Sequence, residues 1–417
     1  MRRSWSPVSS RIRFRSPLRG PWLTSVFGAV LLACLPLVVL TGLLDYVAYG
    51  PGRGIPGDVG PLRLPAFDWP TRPSWLFRLT QGLHVGLGLV LVPVVLAKLW
   101  SVIPKLFAWP PVSSPAQLLE RASVLLLVGS VLFEIVTGVL NIQYDYAFGF
   151  SFYTAHYLGA WVFIAAFTAH VALKAPTMVR ALRSRSLRRE LSTPLAATAP
   201  EQDDGSGLVP ANPDRPTLSR RGLLATVGGG SLLVGSLTAG QTLGGPLRDL
   251  ALLLPRGRQP GPGPNGFPIN RTATAAGITT AATGPDWRLA VRGTGDDQVL
   301  SRTDLLALPQ HSARLPIACV EGWSTVQDWS GVRLRDLAAL SGVAAPGGVV
   351  ANSLEEGPFA RAVLTAGQVL DPDSLLALKV NGVDLSLDHG FPARIIVPAL
   401  PGVRCTKWVG SLDFQEA

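Results

Sequence analysis

The sequence predicts a two-part protein, an N-terminal all-α bundle of transmembrane helices followed by a C-terminal α+β domain. Three observations carry this. Mean hydropathy is +0.32 and only 15% of residues are charged, well below the charge content of a soluble average. Before position 245 the apolar residues fall in runs long enough to cross a bilayer, which takes ~20 residues. After position 268 the runs shorten to strand length and alternate with short helix signals, the pattern of an α+β domain.

In chain order, residues 1–21 form a basic tail with six Arg up to Arg19. Residues 22–44 are a continuous apolar span. A cleaved signal peptide is the rival reading, but the stretch is long for one and lacks a small-x-small cleavage site. Residues 45–76 are a Pro/Gly-rich loop whose Trp69 and Trp75 suit a membrane interface. Further spans are expected at 77–99, 119–141 and 154–175, completing a four-helix block over residues 22–175. The loop 100–118 holds Pro104, Pro110, Pro111 and Pro115 and is not expected to continue a helix.

Residues 176–218 read as a polar cytoplasmic linker, disordered from Glu201 to Gly207. Ser219-Arg220-Arg221-Gly222-Leu223-Leu224 then opens an apolar run to position 245. This segment, 219–245, resembles a twin-arginine export signal and equally reads as a fifth span; both give the same topology. Residues 246–267 are a flexible Pro/Gly-rich tether, and residues 268–417 are the C-terminal domain.

The net charge of +10 does not point to nucleic acid, because the cations flank the apolar spans. With the N-terminus inside, the inner segments 1–20, 98–121 and 174–221 carry 18 Lys and Arg, against 4 in the outer loops 45–78 and 142–154. That asymmetry sets orientation and places the C-terminal domain outside the cell membrane. The three cysteines, Cys34, Cys319 and Cys405, show no paired framework.

Within residues 268–417, a strand is expected around Trp287 to Val291. A short helix capped at Ser301–Thr303 should end at Pro309. Another strand covers 315–320, a helix Leu334 to Leu340, and a strand Leu375 to Val380 that turns at Asn381-Gly382. A last strand runs from Arg394 to Val397.

The chemistry concentrates at two places. Leu315–Val320 runs into Cys319, Glu321 and a Gly322-Trp323 bend, which can hold a thiol half-open to a ligand. A buried, inert thiol is the alternative. Downstream, His389, Arg394 and Lys407 gather on a Gly/Pro-rich strand-loop-strand and make an anion site, Arg as a planar fork and Lys as a point charge.

Together these motifs resemble the sulfite oxidase family of molybdenum-cofactor enzymes. The resemblance is carried by Cys319, Gly322 and Trp323, then by His389-Gly390-x-Pro392-x-Arg394, then by Lys407-Trp408, and it covers roughly residues 268–417. Ala399 departs from it, standing where the family has a second Gly in this loop. The resemblance implies that Cys319 ligates molybdenum and that His389, Arg394 and Lys407 hold the phosphate of molybdopterin. It also implies that Asn270 and Arg271 contact the pterin, although a surface Asn-Arg turn is the commoner explanation for such a pair. Glu321 is a candidate proton donor or a plain hydrogen-bond acceptor beside the metal ligand, and Trp323 is expected to pack. With Ala417 as the last residue, the immunoglobulin-like dimerisation domain of many sulfite oxidases is not expected.

In the membrane part, His84, His156, His170 and Glu134 are candidates because ionisable groups inside a bilayer tend to be functional. The spans of His84 and His156 both run from outside to inside, so these two imidazoles sit at similar depth. Such a pair is how four-helix membrane cytochromes b hold a haem, and the block resembles one. His170 lies fourteen residues beyond His156, but the equivalent position beyond His84 is Lys98, so one haem b is expected, not two.

The whole then resembles a periplasmic methionine sulfoxide reductase fused to its haem-binding membrane subunit. This implies an enzyme transferring two electrons and an oxygen atom on a small oxo-acceptor, coupled to a quinone or other membrane carrier. Two alternatives stand beside it: a sulfite oxidase working in the opposite direction, and a non-catalytic membrane-anchored binding protein. Sulfite oxidases use extra Arg residues for their anionic substrate, and Arg314 is the one Arg close before Cys319, which favours the reductase.

Overall fold

The computed structural model describes residues 14–50, 67–106, 114–142, 151–253, 263–357 and 359–417. Most of the basic tail (1–13), much of the first outer loop (51–66) and the middle of the tether (254–262) lie outside the described residues. The helices are α1 (Pro21–Tyr49), α2 (Leu76–Val90), α3 (Val92–Leu106), α4 (Pro115–Asn141), α5 (Phe152–Ser184), α6 (Leu187–Ser192), α7 (Arg220–Ser236) and α8 (Ala239–Leu243). Three short ones follow: α9 (Arg302–Ala307), α10 (Leu334–Leu340) and α11 (Ala366–Leu370). Among the described residues, five segments are long and apolar enough to cross a membrane: Pro21–Tyr49, Leu76–Lys105, Arg121–Asn141, Phe152–Ser184 and Arg220–Leu243.

The chain divides into two compact units. The first comprises Met1–Val39, Leu87–Val136 and Leu158–Gly235. Its core packs Trp22, Leu23 and Phe27 of α1 against Leu91, Val94 and Val95. Two expectations are corrected here. Glu201 is buried, not disordered. Its carboxylate accepts the backbone N–H groups of Trp22 (2.7 Å) and Leu23 (3.1 Å). These are donors that the first turn of a helix cannot satisfy itself, and that need orders the segment. Pro104 does not stop α3, which runs on to Leu106. A proline denies a hydrogen bond to the carbonyl four residues earlier, here Trp100, and the Arg19 side chain donates to that oxygen instead (3.2 Å).

Arg220, the first of the paired arginines, is 1% exposed. Its guanidinium donates to Glu190 (3.4 Å), to the Ala199 carbonyl (2.9 Å) and to the Pro17 carbonyl (3.2 Å). In the folded chain this arginine is a structural tie.

The second unit comprises Leu40–Gly86, Thr137–Tyr157 and Ser236–Ala417. Among the described residues it contains ten strands: β1 (Arg288–Arg292), β2 (Gln298–Ser301), β3 (His311–Ala318), β4 (Ser324–Arg333), β5 (Pro346–Ser353), β6 (Arg361–Thr365), β7 (Leu375–Val380), β8 (Val383–Asp384), β9 (Arg394–Ile396) and β10 (Val409–Glu416). One sheet has the order β2-β1-β10-β5-β6, with β1 and β10 parallel. The other runs β3-β4-β7-β8, with β9 also paired to β7. Together with the short helices this is the expected α+β domain.

Local chemistry explains the elements. Ser301 and Asp304 form a reciprocal capping box at the start of α9. Asn381 and Gly382, at φ 51° and 81°, supply the two positive-φ residues that a tight β7–β8 hairpin requires. One apolar core runs through the unit. It joins Trp329, Leu376 and Ile395 of the sheets to Cys319 and Trp323, to Tyr49 of α1 and Phe77 of α2, and to Trp69 in the chain before α2. Each large side chain buried there contributes ~1.5–3 kcal/mol.

Candidate active site

Cys319 follows the last residue of β3 in a tight turn. Its N–H donates to the Trp323 carbonyl (2.9 Å), and Gly322 N–H donates back to the Cys319 carbonyl (3.0 Å). Gly322 has φ 87°, a conformation that costs glycine little. The turn is braced from both sides. Gln81 of α2 donates to the Val320 carbonyl (3.0 Å), and Thr242 of α8 donates to the Gly322 carbonyl (3.0 Å). Trp323 donates its indole N–H to Glu321 Oε2 (2.7 Å). Glu321 is therefore held as an acceptor beside the thiol, and Trp323 is buried as expected. Burial pushes the Cys319 thiol well above its usual range, and the Glu321 carboxylate adds to this. A thiolate here needs a cationic partner.

The second cluster is built on a short 3-10 turn, Leu387–His389. Ser386 Oγ accepts the His389 backbone N–H (3.3 Å) and lies 2.8 Å from His389 Nδ1. The other ring nitrogen faces the Phe267 carbonyl (3.2 Å). Gly390 follows at φ 109°, and a Cβ there would stand 3.1 Å from Lys407 Cβ and 3.2 Å from Arg394 Cβ. The glycine lets the two cationic stems converge.

Arg394 donates to the His389 carbonyl (3.2 Å) and lies over the Trp329 ring at 5.6 Å. Lys407 Nζ donates to the carbonyls of Arg271 and Asp388, both at 2.8 Å. Burial first, then Arg394, lowers Lys407 to about 7. Burial lowers Arg394 to about 10. His389 falls to about 3, through burial and then the two cations.

These residues fit an anionic cofactor held by its phosphate. Arg394 is 3% exposed, and its Nε is buried without a hydrogen-bond partner. A guanidinium left so costs several kcal/mol unless an anion meets it. The donor set of a buried thiol and a cation cluster suits a molybdenum–pterin group bound by one sulfur ligand and by phosphate.

The structure also places the remaining predicted residues. The Arg271 carbonyl joins the cluster through Lys407, while its side chain pairs with Glu355 (3.6 Å); Asn270 precedes it, half-buried. His84 and His156 come together with ring centroids 5.9 Å apart and planes at 86°. Thr137 Oγ1 lies 3.0 Å from His156 Nδ1. A Cβ on Gly42 of α1 would stand 2.6 Å from His84 Cε1, and one on Gly138 of α4 3.2 Å from His156 Cε1.

His170 is not part of this pair. In the first unit it lines, with Lys98 and Lys174, a cavity of about 500 Å³. Glu134 packs against Gly159 in that same unit. Arg314 lies on the exposed face of β3, paired with Asp328 (3.1 Å). Among the described residues, no group of three or more His, Cys, Asp or Glu side chains is arranged for a metal ion.

Sequence reasoning missed Ser386, Phe267 and Tyr49. The Ser386-to-His389 spacing carries the signature of a cap and could have been read. Tyr49, 270 positions before Cys319 in the sequence, leaves no local signal.

Residues 276–417 match the family described as the oxidoreductase molybdopterin binding domain. The chain is 37% identical over 132 residues to the uncharacterized oxidoreductase YuiH of Bacillus subtilis, covering 31% of this chain and 66% of that one. It is 30% identical over 159 residues to the mitochondrial sulfite oxidase of Mus musculus, covering 31% of this chain and 29% of the relative. The chain thus spans less than two thirds of the length of these relatives. The sulfane dehydrogenase SoxCD structure from Paracoccus pantotrophus aligns with TM-score 0.30 at 25% identity, over 32% of this chain and 39% of that one. The C-terminal region, residues 276–417, is an oxidoreductase molybdopterin-binding domain, similar in sequence to part of the mitochondrial sulfite oxidases.

Proposed function

We propose that this is a membrane-anchored molybdenum-cofactor oxidoreductase acting on a small oxo-acceptor, with its own b-type haem as electron conduit. The supporting observation is that the His84–His156 pair and the Cys319 turn belong to one compact unit. Two imidazoles coordinating one iron place their ring centroids ~6 Å apart, from Fe–N bonds near those of other metal imidazoles, and the observed 5.9 Å fits. Gly42 and Gly138 keep the space beside the two rings clear.

In the C-terminal domain Cys319 holds the metal, and Arg394, Lys407 and His389 hold the pterin phosphate. When bound, the cofactor supplies two-electron oxygen-atom transfer. Glu321 accepts from Trp323 and fixes the wall beside the thiol. Buried side chains around Cys319 keep bulk water out. The exposed position of Arg314 removes the one nearby Arg that an anionic substrate could use, which favours a neutral sulfoxide-type substrate over sulfite. The inner-loop charge excess supports a cell-membrane protein with its catalytic domain outside, drawing electrons from a membrane quinone.

The test is metal analysis and a reduced-minus-oxidised spectrum of the purified protein. Molybdenum with about one b-type haem per chain is expected. His84→Ala and His156→Ala should each remove the haem, and His170→Ala should leave it. Loss of haem in His170→Ala alone would overturn the pairing. Absence of haem in the wild type would reduce the helices to an anchor.

A further inference from the structure

The core around Cys319 includes a residue that does not belong to the C-terminal domain. Tyr49 ends α1, is 4% exposed and shares one packed core with Cys319 and Trp323. Its ring meets Phe77 edge-on (5.8 Å, 89°) and Tyr153 at 66° (5.4 Å). These rings fix the direction of the phenol. Phe77 and Gln81 stand one turn apart on α2, and Gln81 donates to the Val320 carbonyl next to Cys319, so the same helix joins Tyr49 to the Cys319 turn. Yet the Tyr49 hydroxyl is buried without a hydrogen-bond partner. Folded proteins rarely leave such a group unmet, because an unsatisfied buried hydroxyl forfeits its water contacts with no return. The unmet donor lies in the same packed core as the Cys319 turn. The Gln81 and Thr242 contacts to the Val320 and Gly322 carbonyls hold the turn against the same helical wall.

We infer that Tyr49 is a substrate contact of the Cys319 site, donating its hydroxyl hydrogen to the oxygen of a neutral oxo compound such as a sulfoxide. This rests on the oxo-transfer reading above. Reduction of a sulfoxide consumes two electrons and two protons and releases the sulfide and water. Tyr49 binds and orients the S=O group and supplies no net proton. The membrane part of the chain is then a component of the active site as well as an anchor and a conduit.

The experiment uses the full chain in detergent with dimethyl sulfoxide as probe and a reduced dye as electron source. Tyr49→Phe keeps the ring and its packing, so molybdenum, pterin and haem contents should equal wild type. Loss of one hydrogen bond should raise KM and lower kcat/KM about tenfold, with kcat changed less. Independently of turnover, the dimethyl sulfoxide concentration that half-saturates the cofactor's absorption change should rise by a similar factor. Tyr153→Phe, which keeps the ring contact, should behave as wild type in both assays.

Unchanged kcat/KM and titration midpoint in Tyr49→Phe would overturn this inference alone. So would loss of cofactor in Tyr49→Phe, or an equal defect in Tyr153→Phe, either of which means that the effect is packing. A wild type that holds no molybdenum, or that holds it and neither binds nor reduces the probe, would overturn the oxo-transfer reading and this inference with it.

Discussion

The indole N–H of Trp69 donates to the carbonyl oxygen of Ala399 at 2.7 Å, across 330 positions of sequence. Ala399 has φ 59°, the left-handed region that an alanine enters at a cost of ~1–2 kcal/mol and a glycine does not. This is the position where the resemblance to sulfite oxidases leads one to expect a glycine. Ala399→Gly should therefore raise the unfolding midpoint, by about 0.5–1 kcal/mol once the entropy lost by a more flexible chain is set against the relieved strain. An unchanged or lower midpoint in a thermal scan would show that the carbonyl's bond to Trp69 is not held against strain.

The convergence of Arg394 and Lys407 depends on the bare backbone at Gly390. Gly390→Ala introduces a Cβ 3.1 Å from one stem and 3.2 Å from the other at a positive φ, so cofactor content should fall while the sheets remain. Arg394→Ala should lower pterin content more than Lys407→Ala. Arg394 has a buried nitrogen without a partner in the protein, whereas Lys407 already donates to two carbonyls. Full pterin content in the triple His389, Arg394 and Lys407 to Ala variant would sink the phosphate assignment.

Lys407 titrates at about 7 in the fold against 10.5 in an unfolded chain. Between those values the unfolded state binds more protons than the folded one. The stability of the cofactor-free protein should therefore rise with pH above 7. Below pH 7 the lysine is protonated in both states and contributes no slope. The buried thiols of Cys319 and Cys405, raised from 9.0, oppose the rise at higher pH, so the comparison belongs between about pH 7 and 8.5. Urea midpoints should climb over this window in cofactor-free wild type and stay flatter in Lys407→Met. Equal slopes in the two proteins would count against a deprotonating Lys407.

Cys319→Ser replaces the soft sulfur ligand by a hydroxyl of similar size. Turnover should be lost while the domain folds and pterin stays bound through the Arg394, Lys407 and His389 cluster. Retained activity in this variant is the result that would remove molybdenum from Cys319.

Gly42→Ala places a methyl 2.6 Å from the His84 ring. Haem content per chain should drop sharply and molybdenum content should not, since the Cys319 turn is untouched. A haem spectrum of wild-type intensity would mean that His84 does not need the space beside α1.

Much of this molecule follows from short-range sequence logic. The spans are legible because a bilayer demands ~20 apolar residues. The Ser301 cap, the Asn381-Gly382 hairpin and the bend at Gly322 are legible because each is a contact between near neighbours with a fixed residue requirement. The Cys319 and His389–Lys407 motifs are legible because sulfur and phosphate chemistry restrict which residues serve. What the tertiary structure decided involves partners far apart in sequence. Glu201 looks like part of a disordered acidic linker until the N-terminal turn of α1 supplies two N–H groups for it to accept. Pro104 looks like a helix stop until Arg19 meets the carbonyl it leaves unbonded. Tyr49 carries no motif, and only the fold brings the end of α1 into one core with the Cys319 turn. A side chain's local neighbours are written into the sequence, but the partner that satisfies a buried polar atom is set by which distant segment the fold brings within hydrogen-bond reach.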